Sequence, residues 1–200
     1  MDRDPFWGYK VKHTDPKVPH LSAEQLKLVK EREISIRRLE LVRDVFVFSC
    51  YTGFAYVDVA NLTSDHVKIG VDGNKWLVKP RQKTGICELV PIFHPAMRIL
   101  SKYKDNPESK RRKKLLLVPS NQKVNAYLKE LGDICGIFIN LTFHMARHTF
   151  ASTVTLDNGV QIDSVSKMLG HRSIKTTQIY ARVSETKISV DMQTLLKKFV

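Results

Sequence analysis

Along most of this chain apolar residues recur every three or four positions, the period of a helix with one buried face. Ser22 followed three residues later by Gln25 has the form of a capping box, and Leu26, Leu28 and Val29 supply the stripe of a helix reaching about Arg32. Ile36, Leu39, Val42, Val45, Phe46 and Ser49 repeat the spacing and predict a second, buried helix that stops near Thr52-Gly53. Between residues 66 and 92 the period changes. VKIGVDGNKWLV carries alternating and β-branched positions around Asp72-Gly73-Asn74, and ICELVPI follows a second break at Thr84-Gly85, which together predict three short antiparallel strands. From His94 onward helical spacing returns, broken by a basic tract at 109–114 and by turn residues near Gly132-Asp133, Gly136, Asn158-Gly159 and Gly170-His171. The expected architecture is mainly α with a small antiparallel β-sheet inserted early, an α+β fold. Residues 1–20 read as a linker or the tail of something upstream, 21–183 as one compact domain and 184–200 as a C-terminal helix.

Charge adds a partner class to this outline. With 33 Lys+Arg against 20 Asp+Glu, a formal net charge of +13, the chain suits a polyanion: nucleic acid first, an anionic membrane surface second. The tract SKRRKK at 109–114 adds to that field, whether as a solvated loop or as a contact. Cys50, Cys87 and Cys135 are far apart and odd in number, a pattern of neither a disulfide framework nor a CxxC zinc site, and a reducing cytoplasm is the expected compartment. No stretch approaches the ~20 apolar residues of a membrane span, so membrane insertion is not expected.

Chemistry concentrates in two segments. In LTFHMARHTFAS (141–152), His144 and Arg147 lie three apart and share a helix face that Thr142 can cap, which aims a guanidinium and free backbone N–H groups at an anion. His148 is assigned the role of a hydrogen-bonded core histidine. In LGHRSIKTTQIYARV (169–183), Gly170 ends a helix, His171 occupies the turn, Ser173 can cap the next helix, and Tyr180 follows His171 by nine residues. A tyrosine on a short helix is ordinarily half-buried packing.

Taken together, HMARHTF and LGHRSIKTTQIY resemble the boxes of the tyrosine recombinases of the phage integrase family: His-x-x-Arg opening a helix, Leu-Gly-His, then a tyrosine nine residues on. RQKTGICELVPI (81–92) resembles the family's β-hairpin with its active-site lysine, at Lys83, and TGFAYVDVANL (52–62) resembles the first box, with Asp58 at its acidic position. The resemblance spans about Leu21 to Leu195 and departs at Ala55, where the family carries its first catalytic arginine. The Thr-Gly-x-Ala-Tyr-x-Asp wording is similar to integrases of Bacteroides mobile elements. Arg81 is the proposed substitute cation, two residues from Lys83 and so on the same face of a regular strand, with Lys79 eligible by the same spacing.

The resemblance implies a bacterial, cytoplasmic, site-specific recombinase acting on double-stranded DNA in the integration of a mobile element. Tyr180 would attack the scissile phosphate to give a 3′-phosphotyrosyl link, with Arg147, His171 and His144 on the non-bridging oxygens. Lys83 would be the acid for the leaving 5′ oxygen and His144 the partner of the tyrosine proton. Asp58 would support the site, and fixed cations would replace metal and cofactor alike. It also implies a core-binding domain upstream of residue 21 and a tail at 184–200 that docks in a neighbouring protomer of a DNA-bound tetramer, an isolated domain being monomeric; the bland alternative for the tail is a terminal core helix with Ile188, Met192, Leu195, Leu196 and Phe199 inward. Three rivals stand beside this reading: a non-catalytic DNA-binding relative, a type IB topoisomerase, and a helix-turn-helix regulator that needs no tyrosine at a fixed offset.

Overall fold

The computed structural model describes residues 18–181 and 185–198. Helix α1 (Ala23–Glu31) opens on the reciprocal capping box of Ser22 and Gln25, and α2 (Arg37–Thr52) follows. α2 buries Leu39, Val42, Val45, Phe46, Val47, Phe48 and Cys50, and its second half, from Val45 on, is apolar nearly all round, so it runs through the core with α1, α4, α6 and α7 packed against it. It ends at Gly53, whose φ of 71° is left-handed and whose N–H returns to the Ser49 carbonyl. A Cβ there would lie 2.5 Å from Cδ1 of Phe150. Gly53→Ala is therefore expected to destabilise the chain by about 2–4 kcal/mol, from backbone strain and overpacking together. Urea unfolding reads this; a loss under about 0.5 kcal/mol, the range of an ordinary surface change, would show that Phe150 yields freely.

Short α3 (Tyr56–Ala60) leads into the sheet, whose strands β1 (Val67–Ile69), β2 (Lys75–Pro80) and β3 (Cys87–Pro91) pair antiparallel in chain order. Leu77 faces Val90 and Lys79 faces Glu88 across β2 and β3. All four are buried, so the inward face of the sheet is apolar at one end and ionic at the end that leads into the 81–86 turn. The expected mainly α chain with three antiparallel strands is the one observed.

Helices α4 (His94–Tyr103), α5 (Pro107–Arg111), α6 (Asn121–Cys135), α7 (Phe143–Thr149), α8 (Ile162–Met168), α9 (Lys175–Gln178) and α10 (Glu185–Lys198) complete the chain. Two local expectations fail. Gly132-Asp133 does not interrupt α6, because Gly132 is a buried helical residue against Leu141 and the Ile137 carbonyl; the stop is Gly136, in the left-handed region. The basic tract is not all loop: Asn106 caps α5, and Glu108 binds both Arg111 and Arg112. α7 runs on into a π-helical segment, Phe150–Thr155, where the Thr155 hydroxyl donates to the Phe150 and Ala151 carbonyls. In α10, Ile188, Met192 and Leu196 are exposed, which rules out the core-helix alternative for these residues; the Leu195 side chain, Phe199 and residues 182–184 lie outside what the structure describes. Among the described residues no helix is long and apolar enough to cross a membrane.

Candidate active site

The site forms where the ends of α2 and α8 meet the inward end of the sheet and the buried face of α7. Thr142 stands at the N-cap of α7 as expected, but its side chain makes no capping bond; the first N–H, of Phe143, is instead held by Asn125 Oδ1 at 2.8 Å. Arg147 is 1% exposed and ties three elements together. Its Nη1 donates to the Gly53 carbonyl at 2.5 Å and to Glu88 Oε1 at 2.9 Å, and its Nη2 donates to the Leu169 carbonyl. A buried guanidinium is tolerated because a carboxylate and two carbonyls replace its water. α8 can come this close to β3 because the residue after Leu169 is Gly170, left-handed at φ 56°, where a Cβ would meet Glu88 Cγ at 2.9 Å.

Glu88 is the residue that sequence reasoning missed. Its side chain is fully buried, its Oε1 also lies 4.0 Å from Arg81 Nε, and its Oε2 has no partner. Burial first, and the Asp58 carboxylate in addition, lift its carboxyl to about 7 against the pull of Arg147 and Arg81. The available signal was the strand period: with Val90 inward, Glu88 two residues earlier must share its face.

Asp58, also fully buried, accepts from Lys79 Nζ at 2.7 Å and from the Gln82 N–H at 3.0 Å, and so anchors the entry to the 81–86 turn. This corrects the strand-face premise for the substitute cation. β2 ends at Pro80 and residues 82–84 form a tight turn, so Arg81 and Lys83 do not alternate along a strand. Lys79 is spent on Asp58. Arg81 is part-buried with its Nε unpartnered, and its charge reaches His144, His171 and Tyr180. Lys83 is exposed on the turn, near enough for its charge to be felt at His144. The turn is fastened to the end of α8 by the Thr84 hydroxyl, which donates to the Gly170 carbonyl at 3.1 Å, and by Arg172 Nη2 on the Thr84 carbonyl at 3.3 Å.

His171 is part-buried with Nδ1 2.8 Å from the Thr177 hydroxyl. Burial, then the positive charges of Arg147 and Arg81, push it down to about 4, so it is neutral at pH 7. Ser173 caps the following turn through the Lys175 N–H at 3.3 Å. Tyr180 lies just past α9 rather than on it, 8% exposed, its N–H bonded to the Thr177 carbonyl. Its hydroxyl lies 2.9 Å from His148 Nδ1. That contact corrects one expectation: the histidine against the phenol is His148, the one read as a hydrogen-bonded core residue, and not His144. His144 stacks edge-on against His148, ring centroids 4.3 Å apart. Burial and then His144 and Arg147 hold His148 down to about 4, leaving a neutral imidazole beside a phenol that burial keeps protonated.

Ala55, at the start of α3, opens with Tyr56, Asn125, Thr142, His144 and Arg147 onto a cavity of about 460 Å³. The missing first-box arginine thus leaves open space beside two other residues of the site. Of the site residues, His144 and Arg147 line that cavity, while Arg81, His144, His148, His171 and Tyr180 all lie within electrostatic reach of Arg147. Among the described residues no group of three or more His, Cys, Asp or Glu could hold a metal ion.

A sequence profile of the phage integrase family matches residues 20–187. The chain belongs to that family. Tyrosine recombinase XerA of Pyrococcus furiosus is 30% identical over 93% of this chain and 67% of its own length. Tyrosine recombinase XerD of Staphylococcus haemolyticus is 31% identical over 66% of this chain and 44% of its own. The phage integrase family chain therefore spans about two thirds of one relative and under half of the other. A crystal structure of XerA recombinase matches 90% of this chain and 66% of its own at TM-score 0.67 and 25% identity. XerH recombinase bound to its difH substrate, matching 90% of this chain and 54% of its own, gives TM-score 0.68 at 17% identity, a likeness of fold alone. This phage integrase family member has the fold of a tyrosine recombinase catalytic domain.

Proposed function

We propose that this chain is the catalytic domain of a site-specific DNA recombinase that cuts and rejoins double-stranded DNA through a 3′-phosphotyrosyl intermediate. The observation that carries the reading is the Tyr180 hydroxyl, 2.9 Å from a neutral imidazole and inside the field of Arg147 and Arg81. His148 Nδ1 accepts the phenolic proton as the Tyr180 oxygen attacks phosphorus, and the 5′ oxygen leaves with a proton from Lys83. Arg147 spends three of its five donors on Gly53, Glu88 and Leu169 and keeps two for the non-bridging oxygens, assisted by Arg81, His171 and His144. Asp58 acts at one remove, by holding the turn that carries Arg81 and Lys83. Attack by a 5′-hydroxyl of the partner strand reverses the step. The phosphotyrosyl ester conserves the energy of the broken bond.

The context we propose is a bacterial mobile element, on the strength of the first-box wording around Ala55, with the reaction in the cytoplasm. Residues 1–20 would link to an upstream core-binding domain, 21–183 would carry catalysis, and the tail would dock a neighbour: Ile188, Met192 and Leu196 are exposed at four-residue spacing, one apolar face on which protomers of a DNA-bound tetramer would pack. The test is a nicked suicide duplex taken from the DNA flanking the chain's own gene, with a covalent protein–DNA adduct read on a denaturing gel. An adduct is expected; none on any flanking duplex would defeat the reading.

The substitute cation has a separate test. Arg81→Ala is expected to slow adduct formation by about 10²–10³ while leaving the fold intact. Lys79→Ala is expected to act through stability, by about 3 kcal/mol or more, because Asp58 is left buried without its partner. Equal rates for the parent and Arg81→Ala would remove Arg81 from the site.

A further inference from the structure

We propose that Glu88 is a proton-controlled placeholder in the anion pocket: without DNA its carboxylate serves as counter-ion to Arg147 and Arg81, and entry of a phosphodiester makes it take up a proton. The inference rests on the strand-transfer reading and adds to it a coupling between DNA binding and pH.

The geometry is that of one anion site with an internal occupant. Glu88 Oε1 lies 2.9 Å from Arg147 Nη1 and 4.0 Å from Arg81 Nε, while Oε2 and Arg81 Nε are both buried without hydrogen-bond partners. Two arginines that would bind phosphate are thus held by a carboxylate that cannot use its second oxygen. Every neighbouring element bears on that carboxylate. α7 presents Arg147, the 81–86 turn presents Arg81, and α3 presents Asp58, which adds negative charge. β2 presents Lys79 directly across the strand pair, already bound to Asp58, and the end of α8 presents Gly170 followed by His171.

A phosphate placed against Arg147 and Arg81 brings a negative charge to Glu88 and draws off the two cations that favour its ionised form. Both effects raise the affinity of Glu88 for a proton, and by linkage the proton raises the affinity for phosphate equally. The step moves one proton from solvent to the vacant Oε2, leaving Oε1 to accept from Arg147 as a neutral acid. No other bond is made or broken. Because burial already holds the free carboxyl at about 7, the coupling falls near neutral pH, whereas His148 and His171, held at about 4, are neutral throughout that range. The sign follows: DNA affinity falls as pH rises through about 7.

The experiment measures equilibrium binding of the full chain carrying Tyr180→Phe, so that no adduct pulls the equilibrium, to a 30-bp duplex from the DNA flanking its gene, from pH 6.5 to 8.5. Affinity is expected to fall about tenfold over that range, and Glu88→Gln on the same background is expected to remove the slope and bind more tightly than Glu88 at pH 8.5. Calorimetry at pH 7.5 in buffers of different ionisation enthalpy should show proton uptake with Glu88 and less with Gln. A flat profile in the Glu88 protein overturns the proposal even if the Gln variant does not fold, and so does the same slope in both. Adduct formation by the Tyr180 protein is read separately, so loss of strand transfer and loss of proton coupling are distinct results.

Discussion

Tyr180→Phe is expected to keep the fold and the affinity for duplex DNA and to form no covalent adduct on the suicide substrate. The phenolic oxygen is the only atom removed. Its loss costs the hydrogen bond at His148 Nδ1, roughly 1 kcal/mol. The ring stays where it is, against the His148 imidazole at a centroid distance of 5.3 Å. On the proposed reading the reaction, by contrast, loses its nucleophile altogether: His171, also a neutral histidine of the site, meets the hydroxyl of Thr177, which is fully buried. Residual adduct in the Phe variant at more than a hundredth of the parent rate would move the nucleophile to another residue and defeat the assignment.

Arg147→Ala has the second largest expected effect, on stability and reaction together. In the folded chain Arg147 satisfies the Gly53 and Leu169 carbonyls and the buried Glu88 carboxylate. Removing one partner of a buried ion pair costs about 3–5 kcal/mol, because the charge left behind has no water. Glu88 can escape part of that cost by taking a proton, so the loss should grow as pH rises through about 7, whereas a plain cavity would cost the same at every pH. The conservative Arg147→Lys should recover part of the stability but not the rate: one ammonium cannot reach two carbonyls, a carboxylate and a phosphate, and a fall of about 10²–10³ in adduct formation is expected. Urea unfolding at pH 6 and 8 reads the first effect and the suicide substrate the second. A loss below about 1 kcal/mol for Arg147→Ala at pH 8 would mean that the three-way tie is not holding α2, β3 and α8 together.

How much of this was legible beforehand varies residue by residue. The capping box at Ser22, the stop at Gly53 and the three strands were readable because each depends on a few neighbouring residues. Tyr180, Arg147, His144, His171 and Lys83 were picked out by the spacing of three boxes; in the fold the charge of Arg147 is felt at His144, His171 and Tyr180, and that of Lys83 at His144. The tyrosine's partner was misjudged for a physical reason: His144 and His148 lie one helical turn apart on the same face, and spacing alone cannot say which ring meets a phenol arriving from beyond α9. Lys79 and Arg81 were equally eligible by spacing, and the turn that separates them, together with Asp58, divides their roles. Glu88 was passed over because an isolated glutamate in a five-residue strand gives no sign that two arginines converge on it.

Sequence by itself determined the order and type of the elements, the positive field and the family boxes, since helix and strand periods, caps and charge are set within a few residues or by simple addition. Tertiary structure alone decided which histidine faces the tyrosine, that Lys79 pairs with Asp58 while Arg81 lies beside Glu88, and that this carboxylate sits between Arg81 and Arg147. Those contacts join residues up to 94 positions apart, as between Arg147 and Gly53, and they exist only once packing has fixed the angles between α2, α7, α8 and the sheet.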